Sequence, residues 1–114
     1  MVDDDPQVLK LFSKILTKGG YVVRTETSSQ RAITELDAQP VDLVVLDLSM
    51  PEPDGFEVLK ALRARRPGLR ILVTSGFMGG ALLDAAQLMG ATATLDKTEA
   101  PRLLLQTVND LLQR

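Results

Sequence analysis

The chain has 114 residues, 45% of them apolar, which suffices for one domain with its own core and is too short for two. Its 13 basic and 15 acidic side chains give a formal charge of -2, so direct binding of nucleic acid or an anionic membrane has no electrostatic support. The absence of cysteine and histidine excludes disulfides, zinc sites of the usual ligand type and histidine-based acid–base catalysis, and leaves oxygen-ligated metals open. No apolar stretch approaches the roughly 20 residues that span a bilayer, and the acidic start is the opposite of a signal peptide's basic one. A soluble, cytoplasmic protein without a membrane partner is therefore expected.

After Met1-Val2-Asp3-Asp4-Asp5, Pro6 suits a first helical turn, and Val8, Leu11, Phe12, Ile15 and Leu16 recur at the spacing of one helix face. Gly19-Gly20 ends that helix. Tyr21 to Thr25 is a short β-branched and aromatic run, and Ser28 or Ser29 can cap a second helix carrying Ala32, Ile33 and Leu36. Leu43 to Leu46 lacks polar alternation, as expected of a strand covered on both faces, and Phe56, Leu59 and Leu62 mark the helix that follows, ended by Pro67-Gly68. Ile71 to Thr74 predicts a fourth strand, Ala81 to Met89 a fourth helix stopped by Gly90, and Ala93 to Leu95 a fifth strand. Pro101 opens a last helix with Leu104, Val108 and Leu111.

Strands alternating with helices imply βαβ units, a mostly parallel sheet and right-handed crossovers. Only Met1 and Val2 precede the acidic cluster, whereas strands usually have about five residues. Either several residues are missing before Met1 or the first strand is unusually short. No internal repeat, low-complexity tract or linker interrupts the chain, so a single domain over residues 1–114 is expected.

Asp47 ends the apolar run Val41-Asp42-Leu43-Val44-Val45-Leu46, at the mouth of a buried strand. In a doubly wound sheet, ligands bind outside the carboxyl ends of the strands. Asp3, Asp4, Asp47, Ser75 and Lys97, just beyond strands one, three, four and five, then converge on one edge. Carboxylates that close repel one another unless a cation is present, and Mg²⁺ is held by carboxylates, carbonyls and waters. A carboxylate beside Mg²⁺, a lysine and a hydroxyl is arranged to receive a phosphoryl group, since that transfer needs positioning and charge neutralisation more than acid–base work. Asp5, followed by Pro6, reads mainly as helix N-terminal charge.

This pattern resembles the receiver domain of two-component response regulators over nearly the whole chain, from Val2 to Arg114. Val2-Asp3-Asp4-Asp5-Pro6 resembles the family's acidic pair after the first strand, Asp47 its phosphoacceptor, and Met50-Pro51 with Asp54-Gly55 the turn into its third helix. Thr74-Ser75-Gly76 resembles the hydroxyl step after the fourth strand, and Asp96-Lys97 the lysine position. The resemblance implies an α/β, flavodoxin-like (CheY-like) five-stranded parallel sheet of order 2-1-3-4-5, with a truncated first strand. It implies Mg²⁺ on Asp4 and Asp47, with help from Asp3 and the backbone carbonyl of Ser49, and phosphorylation of Asp47. Lys97 and Ser75 would engage phosphoryl oxygens, while Ser49 and Phe77 would tune access of water. The implied partner is a histidine kinase or histidine phosphotransfer domain, and the implied role is a phosphorelay switch. Such a chain catalyses its own phosphorylation and dephosphorylation but turns over no independent substrate.

Two positions depart from the family. Thr94 stands where an aromatic switch residue is usual, and Thr98 follows the lysine where proline is usual, which suggests an altered output. Between Gly76 and Leu95 the only formal charge is Asp84, whereas Phe77, Met78, Leu82, Leu83, Leu88 and Met89 are apolar. This surplus suggests an apolar partner or homodimer surface around the fourth helix, unless Phe77 and Met78 fold over the site. A receiver-like interaction module not regulated by phosphorylation is the alternative function. An aspartyl phosphatase is disfavoured because Ser49 stands where a second acid would be needed, and no loop is suited to cradle a flavin.

Overall fold

The computed structural model describes residues 1–48, 55–76 and 79–113, and of Ser29 and residues 79–83 the backbone only. Helix α1 (Pro6–Lys18) starts where the Asp5 carboxylate accepts the Gln7 N–H at 2.9 Å, with Pro6 in the first turn. Its buried stripe is Leu9, Phe12 and Leu16, with Val8 and Ile15 partly covered. Leu11, expected on that face, is 46% exposed, because a position two residues from Leu9 points to the other side of a helix. Helix α2 (Ser29–Ala38) is capped by Ser28, whose hydroxyl accepts the Arg31 N–H.

Strand β1 (Leu43–Asp47) is followed by helix α3 (Gly55–Arg65), strand β2 (Arg70–Ser75), helix α4 (Gly79–Leu88), strand β3 (Ala93–Asp96) and helix α5 (Ala100–Leu112). The three strands form one parallel sheet in the order β1-β2-β3. Val2 bridges in parallel both to Leu46 of β1 and to Glu26, so the spatial order Glu26, Val2, β1, β2, β3 reproduces the expected 2-1-3-4-5 arrangement. Among the described residues, three of the five expected strands are extended, and the first two are marked by the single bridges of Val2.

The sheet is covered on both faces. Val44, Leu46, Ile71 and Val73 pack with Leu36, Leu59 and Leu62 on the α2–α3 side, while Val45, Leu72 and Leu95 pack with Phe12, Leu16, Leu104 and Leu111 on the α1–α5 side. Alternate residues of β1 thus enter opposite cores, which explains its unbroken apolar run. Each fully buried leucine or isoleucine here contributes about 1.5–3 kcal/mol relative to exposure.

At the amino ends of β2 and β3, Arg63 of α3 acts as a clamp. Its guanidinium donates to the carbonyls of Gly90 (3.0 Å from Nε), Pro67 (2.8 Å) and Leu69 (2.7 Å). Gly90 turns the chain after α4 with φ +114°, a conformation that side chains disfavour. This leaves the carboxyl ends of the strands, at the opposite rim, for chemistry.

Candidate functional site

The strand register brings the sequence-predicted residues together. Asp47 pairs with Thr74, and Ser75 with Asp96, so Asp47, Ser75 and the following Lys97 reach one rim. The Leu48 N–H donates to the Thr74 carbonyl at 2.9 Å and the Lys97 N–H to the Ser75 carbonyl at 3.0 Å, extending the ladder one residue past each strand. Asp3 arrives from the Val2 bridge, fixed by its own N–H to the Glu26 carbonyl at 3.1 Å. Gly55 lets α3 start against this rim: a Cβ there would lie 2.7 Å from the Leu48 Cα.

Asp3, Asp47, Thr74 and Ser75 are buried, whereas Asp4 is exposed. Lys97 Nζ lies 2.9 Å from Asp3 Oδ2 and 3.0 Å from Asp47 Oδ2, so one ammonium serves two carboxylates. Asp3 Oδ1 also accepts the Asp5 N–H at 2.9 Å. Burial raises the Asp3 carboxyl above its usual range, helped by the charge of Asp47 and opposed by Lys97 and the Asp5 N–H. Burial alone would lower Lys97, but its hydrogen bonds to Asp3 and Asp47 and their charges prevail and raise it. The sequence anticipated the pairing with Asp47 and missed that with Asp3. The adjacency of Val2 to the acidic run was the available signal, since a residue bonded on both sides leaves its neighbour inside the pocket.

One carboxylate oxygen each from Asp3, Asp4 and Asp47 lie within 4.8 Å of one another. A single ammonium among three carboxylates leaves excess negative charge in a largely buried pocket, and an all-oxygen donor set suits a hard divalent cation such as Mg²⁺. The Ser49 carbonyl, expected as a further ligand, lies outside the described residues, as do Phe77 and the Met50-Pro51 and Asp54 landmarks.

The two departures have visible settings. Thr94, partly buried on β3, pairs with Val73 in the sheet register. Thr98 donates both its N–H and its hydroxyl to Asp96 Oδ1, each at 2.8 Å, which holds the turn after Lys97 and keeps the Asp96 carboxyl below its usual range. Of the apolar residues expected around the fourth helix, Leu88 is exposed and Met89 packs against the core. Met78 and the side chains of Leu82 and Leu83 are outside the described residues.

Comparison with known proteins follows the same strand ends. A family model described as the response regulator receiver domain matches residues 1–109. The chain is 34% identical over 116 residues to the transcriptional regulatory protein GlrR of Escherichia coli (strain K12), a match covering 100% of this chain and 26% of that protein. It is 37% identical over 97 residues to the photosynthetic apparatus regulatory protein RegA of Cereibacter sphaeroides, covering 85% and 53% respectively. The chain therefore spans about a quarter to half the length of these relatives. The receiver domain of NtrX from Brucella abortus shares the fold with a TM-score of 0.93 at 24% identity, covering 98% of this chain and 95% of that one. A two-component response regulator of the LuxR family from Aurantimonas sp. SI85-9A1 gives 0.90 at 29% identity, covering 98% and 81%. Because the family match runs through every strand end that builds the pocket, this chain belongs to the response regulator receiver domains.

Proposed function

We propose that the chain is a single receiver unit acting as a cytoplasmic phosphorelay switch, in which Asp47 accepts a phosphoryl group from a partner's phosphohistidine. The observation that carries this reading is the buried Asp47 carboxylate at a strand end, 3.0 Å from Lys97 Nζ and grouped with Asp3 and Asp4. An Asp47 oxygen attacks phosphorus, forming an O–P bond as the N–P bond to the partner's imidazole breaks, and that imidazole then takes its proton from solvent. Asp3, Asp4 and Asp47 would hold Mg²⁺, which when bound neutralises charge on the phosphoryl oxygens. Lys97 transfers its ion pair from the Asp47 carboxylate to a phosphoryl oxygen, and the Ser75 hydroxyl donates to another.

Movement of Ser75 and its loop toward the phosphoryl group changes the surface that a partner reads. The partners on this reading are a histidine kinase or histidine phosphotransfer domain on the input side, and an output partner or second copy at the α4 surface. The name of RegA as a regulatory protein and that of GlrR as a transcriptional one support an output beyond this chain. Water attack on phospho-Asp47 resets the switch, so the chain processes only its own aspartyl phosphate.

The test is intact mass after incubation with acetyl phosphate, with and without Mg²⁺, alongside Asp47→Asn. The expected result is a Mg²⁺-dependent gain of one phosphoryl group that the variant lacks. No gain in folded, Mg²⁺-binding protein would overturn the switch in favour of an unphosphorylated interaction module, the reading that Thr94 and Thr98 motivate.

A further inference from the structure

Lys97 reaches the acidic pocket from a turn rather than from a strand. β3 ends at Asp96, and Lys97, Thr98 and Glu99 form the turn that enters α5. A lysine carries its ammonium on a long flexible stem, so its reach depends on how firmly the backbone beneath it is held. The stem here runs past Gly76, where a Cβ would lie 3.4 Å from Lys97 Cδ, and ends 2.9 Å from Asp3 Oδ2 and 3.0 Å from Asp47 Oδ2.

Every polar group of the two peptide units that flank Lys97 is bonded. The Lys97 N–H donates to the Ser75 carbonyl at 3.0 Å, the Asp96 carbonyl accepts the Glu99 N–H at 3.0 Å, and the Lys97 carbonyl accepts the Ala100 N–H at 3.3 Å. The remaining group, the Thr98 N–H, donates to a side chain instead, to Asp96 Oδ1 at 2.8 Å. The Thr98 hydroxyl donates to the same oxygen, also at 2.8 Å. A carboxylate that bonds the backbone two residues on fixes a turn much as a main-chain bond would, and its charge strengthens the contact. Asp96 stands outside the Asp3, Asp4 and Asp47 group, and Thr98 is exposed, so burial of a polar atom does not require either bond. What the two bonds fix is the direction in which the Lys97 side chain leaves the turn between them.

We propose that Asp96 and Thr98 are positioning residues for Lys97: their clasp aims the ammonium at Asp3 and Asp47. On the phosphorelay reading of the site, on which this part rests, it then aims the same ammonium at the phosphoryl oxygen that replaces Asp47 as its partner. A proline at position 98, the residue usual in the family, has neither an N–H nor a hydroxyl, so in this chain it removes both bonds instead of stiffening the turn. A misplacement of about 1 Å is enough to slow a transfer that works by positioning.

The experiment compares the parent with Thr98→Val, which keeps the N–H and loses the hydroxyl, Thr98→Pro, which loses both, and Thr98→Ser, which keeps both. Proton exchange of the Lys97 ammonium is followed by side-chain NMR in metal-free protein. Phosphorylation of Asp47 by acetyl phosphate with Mg²⁺ is followed over a range of donor concentrations. The proposal expects Lys97 exchange in Thr98→Pro to speed up by about tenfold or more, with Thr98→Val between it and the parent. It expects the rate at saturating donor to fall by about tenfold in Thr98→Pro while the half-saturating donor concentration holds, and Thr98→Ser to recover both readouts. Parent-like Lys97 exchange in Thr98→Pro overturns the proposal, and so does a loss in Thr98→Ser equal to that in Thr98→Val, which would make the methyl group responsible. A parent that takes no phosphoryl group overturns the phosphorelay reading and not the clasp, which the Lys97 exchange judges without any donor.

Discussion

Asp3 and Lys97 are paired across the acidic rim, 2.9 Å between Oδ2 and Nζ, while the same Nζ lies 3.0 Å from Asp47 Oδ2. Breaking a buried pair by removing one partner strands the other charge. In metal-free buffer we expect Lys97→Met to cost about 3 kcal/mol, read by urea denaturation, with part restored by millimolar Mg²⁺. An unchanged midpoint would show that solvent already screens the cluster.

Lys97 also sets an alkaline limit. Its folded pKa lies above the unfolded 10.5, so the ion pairs stabilise the fold fully below about pH 10.5 and the stabilisation is lost as pH rises through the folded value. Melting temperature against pH should fall more steeply there in the parent than in Lys97→Met. Parallel curves would refute the assignment.

Asp4 separates binding from stability. It is exposed and makes no ion pair among the described residues, yet its carboxylate reaches the Asp3–Asp47 group. Asp4→Asn should weaken Mg²⁺ affinity by about tenfold or more while shifting stability by no more than about 0.5 kcal/mol. Calorimetric titration and denaturation check the two halves independently.

Arg63 should behave in the opposite manner. Arg63→Ala abandons the carbonyls of Gly90, Leu69 and Pro67 to a partly buried site, a loss of about 2–4 kcal/mol. Arg63→Lys recovers only part, because an ammonium cannot fork to several carbonyls. Mg²⁺ affinity of whatever fraction is folded stays unchanged, since the clamp sits at the other end of the strands.

Gly55→Ala places a Cβ 2.7 Å from the Leu48 Cα, a backbone contact that no rotamer relieves. We expect a loss of about 1–3 kcal/mol together with shifted amide resonances at Asp47 and Leu48. A gain in stability, the usual result of Gly→Ala within a helix, would show that α3 can move away without cost.

The parts of the sequence that proved easiest to read were those where two signals agreed. Leu104, Val108 and Leu111 behind Pro101, and the unbroken Leu43–Leu46 run before Asp47, gave the helix and the doubly covered strand as found. Leu11 misled because α1 carries apolar residues around more than half its circumference, and periodicity alone cannot choose the centre of the buried stripe. Tyr21 to Thr25 has strand composition, but a strand is defined by its neighbour, and Val2 supplies only one bridge. The joint grip of Lys97 on Asp3 and Asp47 depends on register across three elements, which no local pattern encodes. The Arg63 clamp was equally hidden, for its carbonyl partners leave no trace in side-chain identity.

Val2 holds Asp3 in place through single bridges to Glu26 and Leu46, whereas Asp47 and Lys97 are anchored in or beside the sheet's full ladders. Backbone held by isolated bridges opens at a lower free energy than backbone in a full ladder. On warming, the metal-binding trio should therefore come apart while the helices and the sheet stay intact, and the chain should lose its competence several degrees before it loses its shape.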